Sequence, residues 1–222
     1  MSNVFTGKYW TIQSFVSGFS NNAYLITCNR TNNSVVVDTP ADPVELVEAR
    51  EKTNPTFILI THGHQDHLEG FADVSGDTEP MVGIGQDDKN SLPMKTNLQI
   101  DVSTNQRLNS GDISFRSIET PGHTPGSTCY LLETTVSKAA GEPAHVFTGD
   151  TLFPGGPGRS SSHQALKQIL ESLETHIFSL KESTIVLPGH GEFTTISNSK
   201  IEYESFKSRP LDPNLSGDVT WA

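Results

Sequence analysis

Short apolar runs separated by polar turns fill the first third of the chain and predict β-strands. The runs are rich in β-branched and aromatic residues, and they cover 10–16, 23–27, 34–37 and 57–60. The pairs Asn21-Asn22 and Asn32-Asn33 predict turns between them. Between 40 and 50, Val44, Leu46 and Val47 stand among acidic residues, and this spacing predicts a short helix.

The rest of the chain repeats this plan. Apolar runs predict further strands at 98–102, 113–118, 128–132, 145–148 and 184–187. The strongest helix is predicted over 162–180, because Leu166, Ile169, Leu170 and Leu173 fall on one face, and a surface helix is predicted over 198–207. Strands alternating with helices indicate an α/β fold with sheet packed on sheet and helices outside. No linker or composition break divides residues 1–222, so we expect a single domain with a short C-terminal tail.

A histidine-rich loop follows the predicted strand 57–60. It reads His62-Gly63-His64-Gln65-Asp66-His67, and imidazole and carboxylate groups are the donors that Zn²⁺ and related cations prefer. Side chains two positions apart in an extended loop point to the same side, so His62 and His64 can bind one ion. Asp66 and His67 then fit a second ion. The alternative is a polar surface loop that happens to hold histidines.

Three further loops share one context, a short apolar strand that ends in a Gly-containing turn with His or Asp. They contain His123 in 120–126, Asp150 in 147–150, and His190 in 187–191. Glycine and proline there favour tight, rigid turns that fix the direction of a ligand. Taken singly, each loop is a weak signal, since a histidine after Pro-Gly is more often a simple turn residue. Together with 62–67, they complete a set of five histidines and two aspartates, which suits two adjacent cations.

These motifs resemble the metallo-β-lactamase superfamily, and within it the glyoxalase II (hydroxyacylglutathione hydrolase) branch. The resemblance extends from Ser20 to His190 and implies a four-layer αββα sandwich with the metals at one edge between the sheets. It also implies that His62, His64 and His123 hold the first metal, that Asp66, His67 and His190 hold the second, and that Asp150 bridges both. Asp38 matches an acidic residue that supports the metals in the family; the alternative is a turn-capping aspartate.

The ligand set indicates hydrolysis. Two bridged cations lower the pKa of a shared water and supply hydroxide at neutral pH, while Asp66 orients it and accepts its proton. We expect two divalent ions, zinc first, with iron or manganese as alternatives. A thiol has a pKa of about 8.5 and leaves without a dedicated acid, which favours a small thioester. Arg159, which follows Gly158, either pairs with a substrate carboxylate or is a surface arginine.

Composition excludes other classes of protein. The net charge of −11 and the lack of a basic run argue against nucleic-acid and anionic-membrane partners, which leaves a small-molecule substrate. The N-terminus has neither a basic region nor a long apolar stretch, so neither a signal peptide nor a membrane span is expected, and the protein is predicted to be cytoplasmic. Cys28 and Cys129 are interpreted as reduced, buried thiols.

Alternative functions stay open at this point. A mononuclear iron persulfide dioxygenase is similar at the same motifs and needs only His62, His123 and Asp150. The complete second set of ligands favours the hydrolase. A lactone hydrolase is a further alternative, whereas the zinc β-lactamases mostly carry a cysteine ligand that this chain lacks. The sequence does not identify the acyl group, the native metal or the oligomeric state, nor whether 81–97 is a mobile lid or a surface loop.

Overall fold

A computed structural model describes residues 1–18, 20–93, 96 and 99–221, and its centre is a pair of β-sheets packed face to face. The first sheet has seven strands in chain order, antiparallel at its beginning and parallel from the fourth strand onward. Its strands are β1 Ser2–Thr6, β2 Trp10–Ser17, β3 Asn21–Cys28, β4 Asn33–Val37, β5 Asn54–Leu59, β6 Met81–Gly83 and β7 Gln99–Ile100.

The second sheet has six strands in the order β15-β14-β11-β10-β9-β8, and β12 and β13 form a small separate ribbon. Within this sheet only β11 and β14 run parallel, so both strands end at the same edge. The strands are β8 Arg107–Ser110, β9 Ile113–Glu119, β10 Thr128–Leu132, β11 His145–Gly149, β12 Leu152–Phe153, β13 Gly156–Pro157, β14 Ile185–Pro188 and β15 Thr194–Thr195.

Helices cover the outer faces of both sheets. Leu46, Phe71 and Val74 from the first two helices pack on the first sheet, and the fourth and fifth helices pack on the second sheet. None of the helices in the described part of the chain is long and apolar enough to cross a bilayer. The helices are α1 Val44–Arg50, α2 Phe71–Ser75, α3 Thr135–Ala139, α4 His163–Ser172 and α5 Ile196–Lys207.

The central strands are buried on both faces, which explains their nearly continuous apolar sequence. In β3, Tyr24 and Ile26 point into the core between the sheets, while Ala23 and Leu25 point toward the helices of the first sheet. Successive side chains of a strand alternate in direction, so one strand supplies two cores. The strand β10 divides its side chains between two cores in the same way. The predicted αββα sandwich is thereby confirmed.

Two sequence predictions about local structure need correction. Asn21 and Asn22 do not form a turn; they begin β3, because the amide of Asn22 donates to Gly189 O at 2.7 Å and extends the strand toward the second sheet. The helix predicted over 162–180 is α helical only to Ser172 and continues as a π-helical turn, Leu173–Ile177. The predicted start of this helix at 162 agrees with the structure, since the Ser162 side chain caps the helix by accepting a hydrogen bond from the amide of Ala165.

The sequence did not decide whether 81–97 forms a mobile lid or a surface loop, and the structure shows that this region contains regular secondary structure. It includes β6 and a 3-10 turn, Gln86–Ser91. Met94, Lys95 and Asn97 lie outside the described residues, as does Leu98 of the predicted strand 98–102. Elsewhere, Cys28 and Cys129 are both free and buried, as predicted.

Candidate metal centre

The predicted metal ligands lie at the edge where strands of both sheets end. The loop 62–67 follows β5, Asp150 follows β11, and His190 follows β14. His123 lies in the loop between β9 and β10. Because β11 and β14 are parallel, their carboxyl ends bring Asp150 and His190 together. All of the predicted ligands meet here, in groups His62/His64/His123, His62/His67/Asp150 and Asp66/His67/His190 whose ligand atoms lie within 4.8 Å of one another.

The first triad consists of three histidines whose ring nitrogens converge. Nδ1 of His64 lies 3.1 Å from Nε2 of His62 and 2.9 Å from Nε2 of His123. In a tetrahedral site with zinc–nitrogen bonds of about 2.0–2.1 Å, nitrogen ligands lie roughly 3.3 Å apart. The spacing of the first triad is therefore close to that required around one cation.

The second triad joins Asp66, His67 and His190. Nε2 of His67 lies 3.2 Å from Nε2 of His190, and Oδ2 of Asp66 lies 3.4 Å from the same His190 atom. Asp150 faces both triads, because its Oδ2 lies 3.5 Å from Nε2 of His123 and 3.6 Å from Nε2 of His190. One carboxylate therefore stands between two groups of ligands.

The chemistry of Asp150 and its surroundings fits a pair of cations. Oδ1 of Asp150 is buried and has no hydrogen-bond partner among the described residues, although a buried carboxylate oxygen ordinarily needs one. A side chain at position 189 would bring its Cβ within 2.5 Å of this oxygen and 2.7 Å of the His67 ring. Glycine at 189 therefore keeps the space beside Asp150 free for a bound ion.

Asp38 supports both triads from behind. Its Oδ2 accepts from Nδ1 of His67 at 3.0 Å and from the Thr61 hydroxyl at 2.8 Å, and its Oδ1 accepts from the Thr61 amide. The Thr61 hydroxyl oxygen in turn lies 3.1 Å from Nδ1 of His62. These contacts leave Nε2 of each histidine facing the cluster. Such contacts fix the ring orientation and the tautomer of a metal-binding histidine.

Burial and charge set the protonation states of the cluster. Burial, together with the neighbouring histidines, holds the pKa of His62 well below its usual range, so its ring is neutral and able to bind a cation. Burial opposes charge on His67 as well, but the carboxylates of Asp38, Asp150 and Asp66 outweigh it and raise its pKa to about 9. Burial alone would raise the pKa of Asp66, yet a hydrogen bond from Asn21 and the charge of His67 lower it, so Asp66 is ionised.

Asn21 is a site residue that the sequence analysis missed. Its side-chain amide donates to Oδ2 of Asp66 at 2.9 Å and to the Asp66 carbonyl at 3.2 Å, and it lies 3.4 Å from Nε2 of His190. The sequence offered only the Asn-Asn pair, which is also typical of turns. Because Asn21 begins β3 and Asp66 lies 45 positions later, their contact depends on the folded sheet.

A groove opens beside the first triad and contains Arg159. A cavity of about 500 Å³ is lined by His64, His123, Arg159 and the backbone around Ser160 and Gly217. The Arg159 carbonyl accepts from Nδ1 of His123 at 2.8 Å, which orients that ring as well. Arg159 and Asp38, to which the sequence analysis assigned supporting roles, thus both lie beside the cluster of predicted ligands.

The C-terminal segment forms one wall of this groove. Ser160 and Gly217 exchange two backbone hydrogen bonds, at 3.0 and 2.9 Å. Trp221 is buried in the core of the second sheet, and its amide donates to Gly155 O at 2.8 Å. Nδ1 of His163 donates to Leu215 O at 3.0 Å. The segment therefore holds the loop that carries Arg159.

Comparisons with known proteins agree with this geometry. Residues 16–190 match the family model described as the metallo-beta-lactamase superfamily. A protein named a probable hydroxyacylglutathione hydrolase, glo2, from Schizosaccharomyces pombe is 31% identical over 198 residues, which cover 86% of this chain and 71% of the relative.

Solved structures also resemble this chain in fold. A metallo-beta-lactamase from Staphylococcus aureus superposes with a TM-score of 0.75 at 26% identity over 88% of this chain, which spans only 62% of that protein. The structure of ETHE1 from Myxococcus xanthus gives a TM-score of 0.66 at 27% identity, covering 85% of this chain and 81% of its own.

Proposed function

The chain belongs to the metallo-β-lactamase superfamily, and we propose that it is a metal-dependent hydrolase that uses two divalent ions to cleave a small thioester. The observation that carries this proposal is the position of Asp150 between two complete triads, at 3.5 Å from His123 and 3.6 Å from His190. A carboxylate with one buried oxygen that accepts no hydrogen bond among the described residues, placed between two sets of nitrogen and oxygen donors, suits a bridging ligand.

The proposed ligands divide into two sets that share Asp150. The first ion would be held by His62, His64 and His123, and the second by Asp66, His67 and His190. When bound, the ions supply Lewis acidity, which polarises a carbonyl and acidifies water. Imidazole and carboxylate donors suit zinc first, with iron and manganese as alternatives.

We assign the proton transfer to Asp66. Its side chain is 40% exposed, so it is accessible to solvent beside the second triad. The Asn21 amide holds Oδ2 at 2.9 Å, and the lowered pKa keeps the carboxylate ionised, so it can accept a proton from water. Asn21 thereby orients the base.

The groove supports a small substrate that leaves as a thiolate. A cavity of about 500 Å³ is in the range of small-molecule sites, and Arg159 provides a cation for a substrate carboxylate. No carboxylic acid of the described residues lines this cavity. Asp87 and Glu119 line the adjoining cavity, where Glu119 already accepts two hydrogen bonds from Thr104. A thiolate needs no acid to leave, whereas an amine or alkoxide does. The S. pombe relative is named a probable hydroxyacylglutathione hydrolase.

The direct test is hydrolysis of S-D-lactoylglutathione by protein purified with its native metals. We expect a kcat/KM of about 10⁶ M⁻¹s⁻¹ or more, in the upper range for enzymes. The matched control is Asp66→Asn, with its metal content measured. A negligible rate for fully metal-loaded protein would exclude this thioester and leave other esters and lactones to be tested.

An iron-dependent oxidoreductase acting on a persulfide is the second candidate. It would need only His62, His123 and Asp150, of which His123 and Asp150 lie 3.5 Å apart. The likeness to the M. xanthus protein lends it some weight. The complete second triad argues for the hydrolase, because a single iron does not require it. One iron per chain, together with oxygen uptake in the presence of glutathione persulfide, would reverse the order.

A further inference from the structure

One buried carboxylate joins the two loops that carry the first triad. Asp88 lies in the 3-10 turn Gln86–Ser91 and is only 7% exposed. Its Oδ2 accepts from the Gly63 amide at 2.8 Å and from the Thr124 hydroxyl at 2.6 Å, and its Oδ1 accepts from the Gly126 amide at 3.0 Å. Asp88 therefore binds both loops at once, although the loops are about sixty residues apart in the chain.

Two of the three donors lie directly beside the ligands in the chain. Gly63 stands between His62 and His64, and Thr124 follows His123. The 2.9 Å distance between Nδ1 of His64 and Nε2 of His123 spans the two loops, so it depends on their relative position. A hydrogen-bonded bridge between the loops is the most direct way to hold that distance.

The packing around Asp88 leaves the loops no freedom to shift. A Cβ at position 126 would lie 2.6 Å from the Asp88 amide nitrogen, and one at 63 would lie 2.4 Å from the Ser91 hydroxyl. A Cβ at position 85 would lie 1.9 Å from the Gly126 carbonyl oxygen. Glycine at 85 and 126 lets backbone approach backbone, and glycine at 63 leaves room for the Ser91 side chain, so the bridge is short.

The charge of Asp88 is not neutralised by a basic side chain. No lysine, arginine or histidine of the described residues forms an ion pair with it, and its partners are two amides and a hydroxyl. Hydrogen bonds from neutral donors satisfy its oxygens but leave the negative charge. The carboxylate contacts Gly63 and Thr124, each of which is next to a ligand in the chain, so its charge favours a cation there.

The second triad rests on different supports. Asp38 holds His67, and Asn21 holds Asp66. Asp38 also reaches His62 through Thr61, whereas the side-chain hydrogen bonds of Asp88 go to Gly63, between His62 and His64, and to the loop that carries His123. The two triads are thus anchored unequally.

We propose that Asp88 is the positioning residue of the first triad, which sets the metal affinity of that triad without touching the ion. This inference rests on the pair of metal ions in the proposed function but not on the thioester, since it concerns metal binding and holds whatever the substrate is. It predicts that the two sites can be weakened separately.

The test is Asp88→Asn, which keeps the size of the side chain but turns one acceptor into a donor facing an N–H or O–H group. Zinc affinity is measured by competition with a chelator, and cobalt(II) absorption reports the ligand geometry. We expect the dissociation constant of the site at the first triad to rise about 10–100-fold, as for other residues that orient metal ligands. The dissociation constant of the site at the second triad should change less than twofold. Asp87→Asn, the exposed neighbour, is the matched control and should bind both ions as the wild type does.

Two results would overturn the proposal. One is an unchanged affinity at both sites in folded Asp88→Asn. The other is an equal loss at both sites with a lower Tm, which would mean a general structural role. If Asp88→Asn does not fold, Thr124→Val removes only one of the three hydrogen bonds. The loss of a hydrogen bond to a charged group should then weaken metal binding at the first triad about tenfold. An unchanged metal affinity in Thr124→Val would also contradict the proposed role of Asp88.

Discussion

Nδ1 of His67 donates a hydrogen bond to the carboxylate of Asp38 across 3.0 Å, and both side chains are almost fully buried. This leaves Nε2 of His67 as the nitrogen that faces His190 and Asp150. The backbone of Asp38 is left-handed, with φ +58°, a conformation that aspartate and asparagine tolerate better than most residues. The conformation and the hydrogen bonds of Asp38 together explain why an aspartate suits this position.

The first prediction follows from this contact. Asp38→Asn keeps the left-handed backbone but loses one acceptor, so it disturbs His67 directly and His62 through Thr61. We expect zinc affinity to fall about 10–100-fold, at both sites rather than one. Asp42→Asn is the control, because Asp42 is also left-handed, at φ +52°, but exposed. Equal zinc affinity in Asp38→Asn and the wild type, measured by chelator competition, would show that Asp38 does not support the ligands.

The second prediction concerns the proposed base. Asp66→Asn retains the shape of the side chain and a partner for Asn21, but it cannot accept a proton. We expect kcat to fall about 10²–10⁴-fold, as for the loss of a general base, and the acidic limb of the pH profile to disappear. The pH dependence of kcat is compared at equal metal content. If kcat falls only in proportion to the metal that is lost, Asp66 acts as a metal ligand and not as a general base.

The third prediction concerns substrate charge. Arg159 is exposed and lines the groove beside His64 and His123. Arg159→Ala should raise KM about tenfold for thioesters that carry a carboxylate, because a hydrogen bond to a charged group is lost. KM for a neutral ester should not change. Arg107→Ala, an exposed arginine on β8, is the control. The same KM change for both substrates would mean that Arg159 acts on the loop and not on the substrate.

The fourth prediction concerns acid stability and uses a histidine outside the site. His145 is fully buried against Phe5, with ring centroids 4.5 Å apart, and neither ring nitrogen has a hydrogen-bond partner among the described residues. Burial lowers its pKa to about 4. The unfolded chain, with an ordinary histidine pKa of about 6.5, therefore binds more protons between these values, and stability falls as the pH falls through this window.

The variant His145→Phe should remove this dependence. Between pH 7.5 and 5 we expect the wild type to lose about 2 kcal/mol more free energy of unfolding than the variant, since 1.5 pH units correspond to about 2 kcal/mol. Urea unfolding of both proteins, with metals removed by a chelator, measures the difference. His176→Phe, a partly exposed histidine, is the control. Parallel stability curves for His145→Phe and the wild type would contradict a lowered pKa at His145.

The sequence predicted the elements that depend on local pattern and missed those that depend on pairing across the fold. Strands such as β10 and β11 are buried on both faces, so their apolar runs were clear. Short strands such as β6 and β15 have three residues or fewer and carry no such pattern. Their position is set by neighbouring strands, and propensity alone does not reveal it.

The same division applies to the candidate site. His62, His123 and Asp150 each follow a strand inside a short motif, so the sequence alone was enough to predict them as ligands. Asn21 lies 45 positions from Asp66, and Asp88 lies 25 positions from Gly63. The residues next to Asn21 and Asp88 in the chain do not indicate these contacts. A buried polar side chain is assigned a partner only when the fold has placed one within hydrogen-bond distance.

The order of the ligands along the chain has a consequence for synthesis on the ribosome. His62 emerges among the first ligands and His190 last, with two sheets to be completed between them. An ion that meets the growing chain early finds at most the donors of 62–67, and the second triad is incomplete until Pro188-Gly189-His190 has been made. Since preformed metal sites rarely exist before folding, loading of the proposed pair of ions would follow synthesis of His190. Metal content would then report how much of a preparation has finished folding.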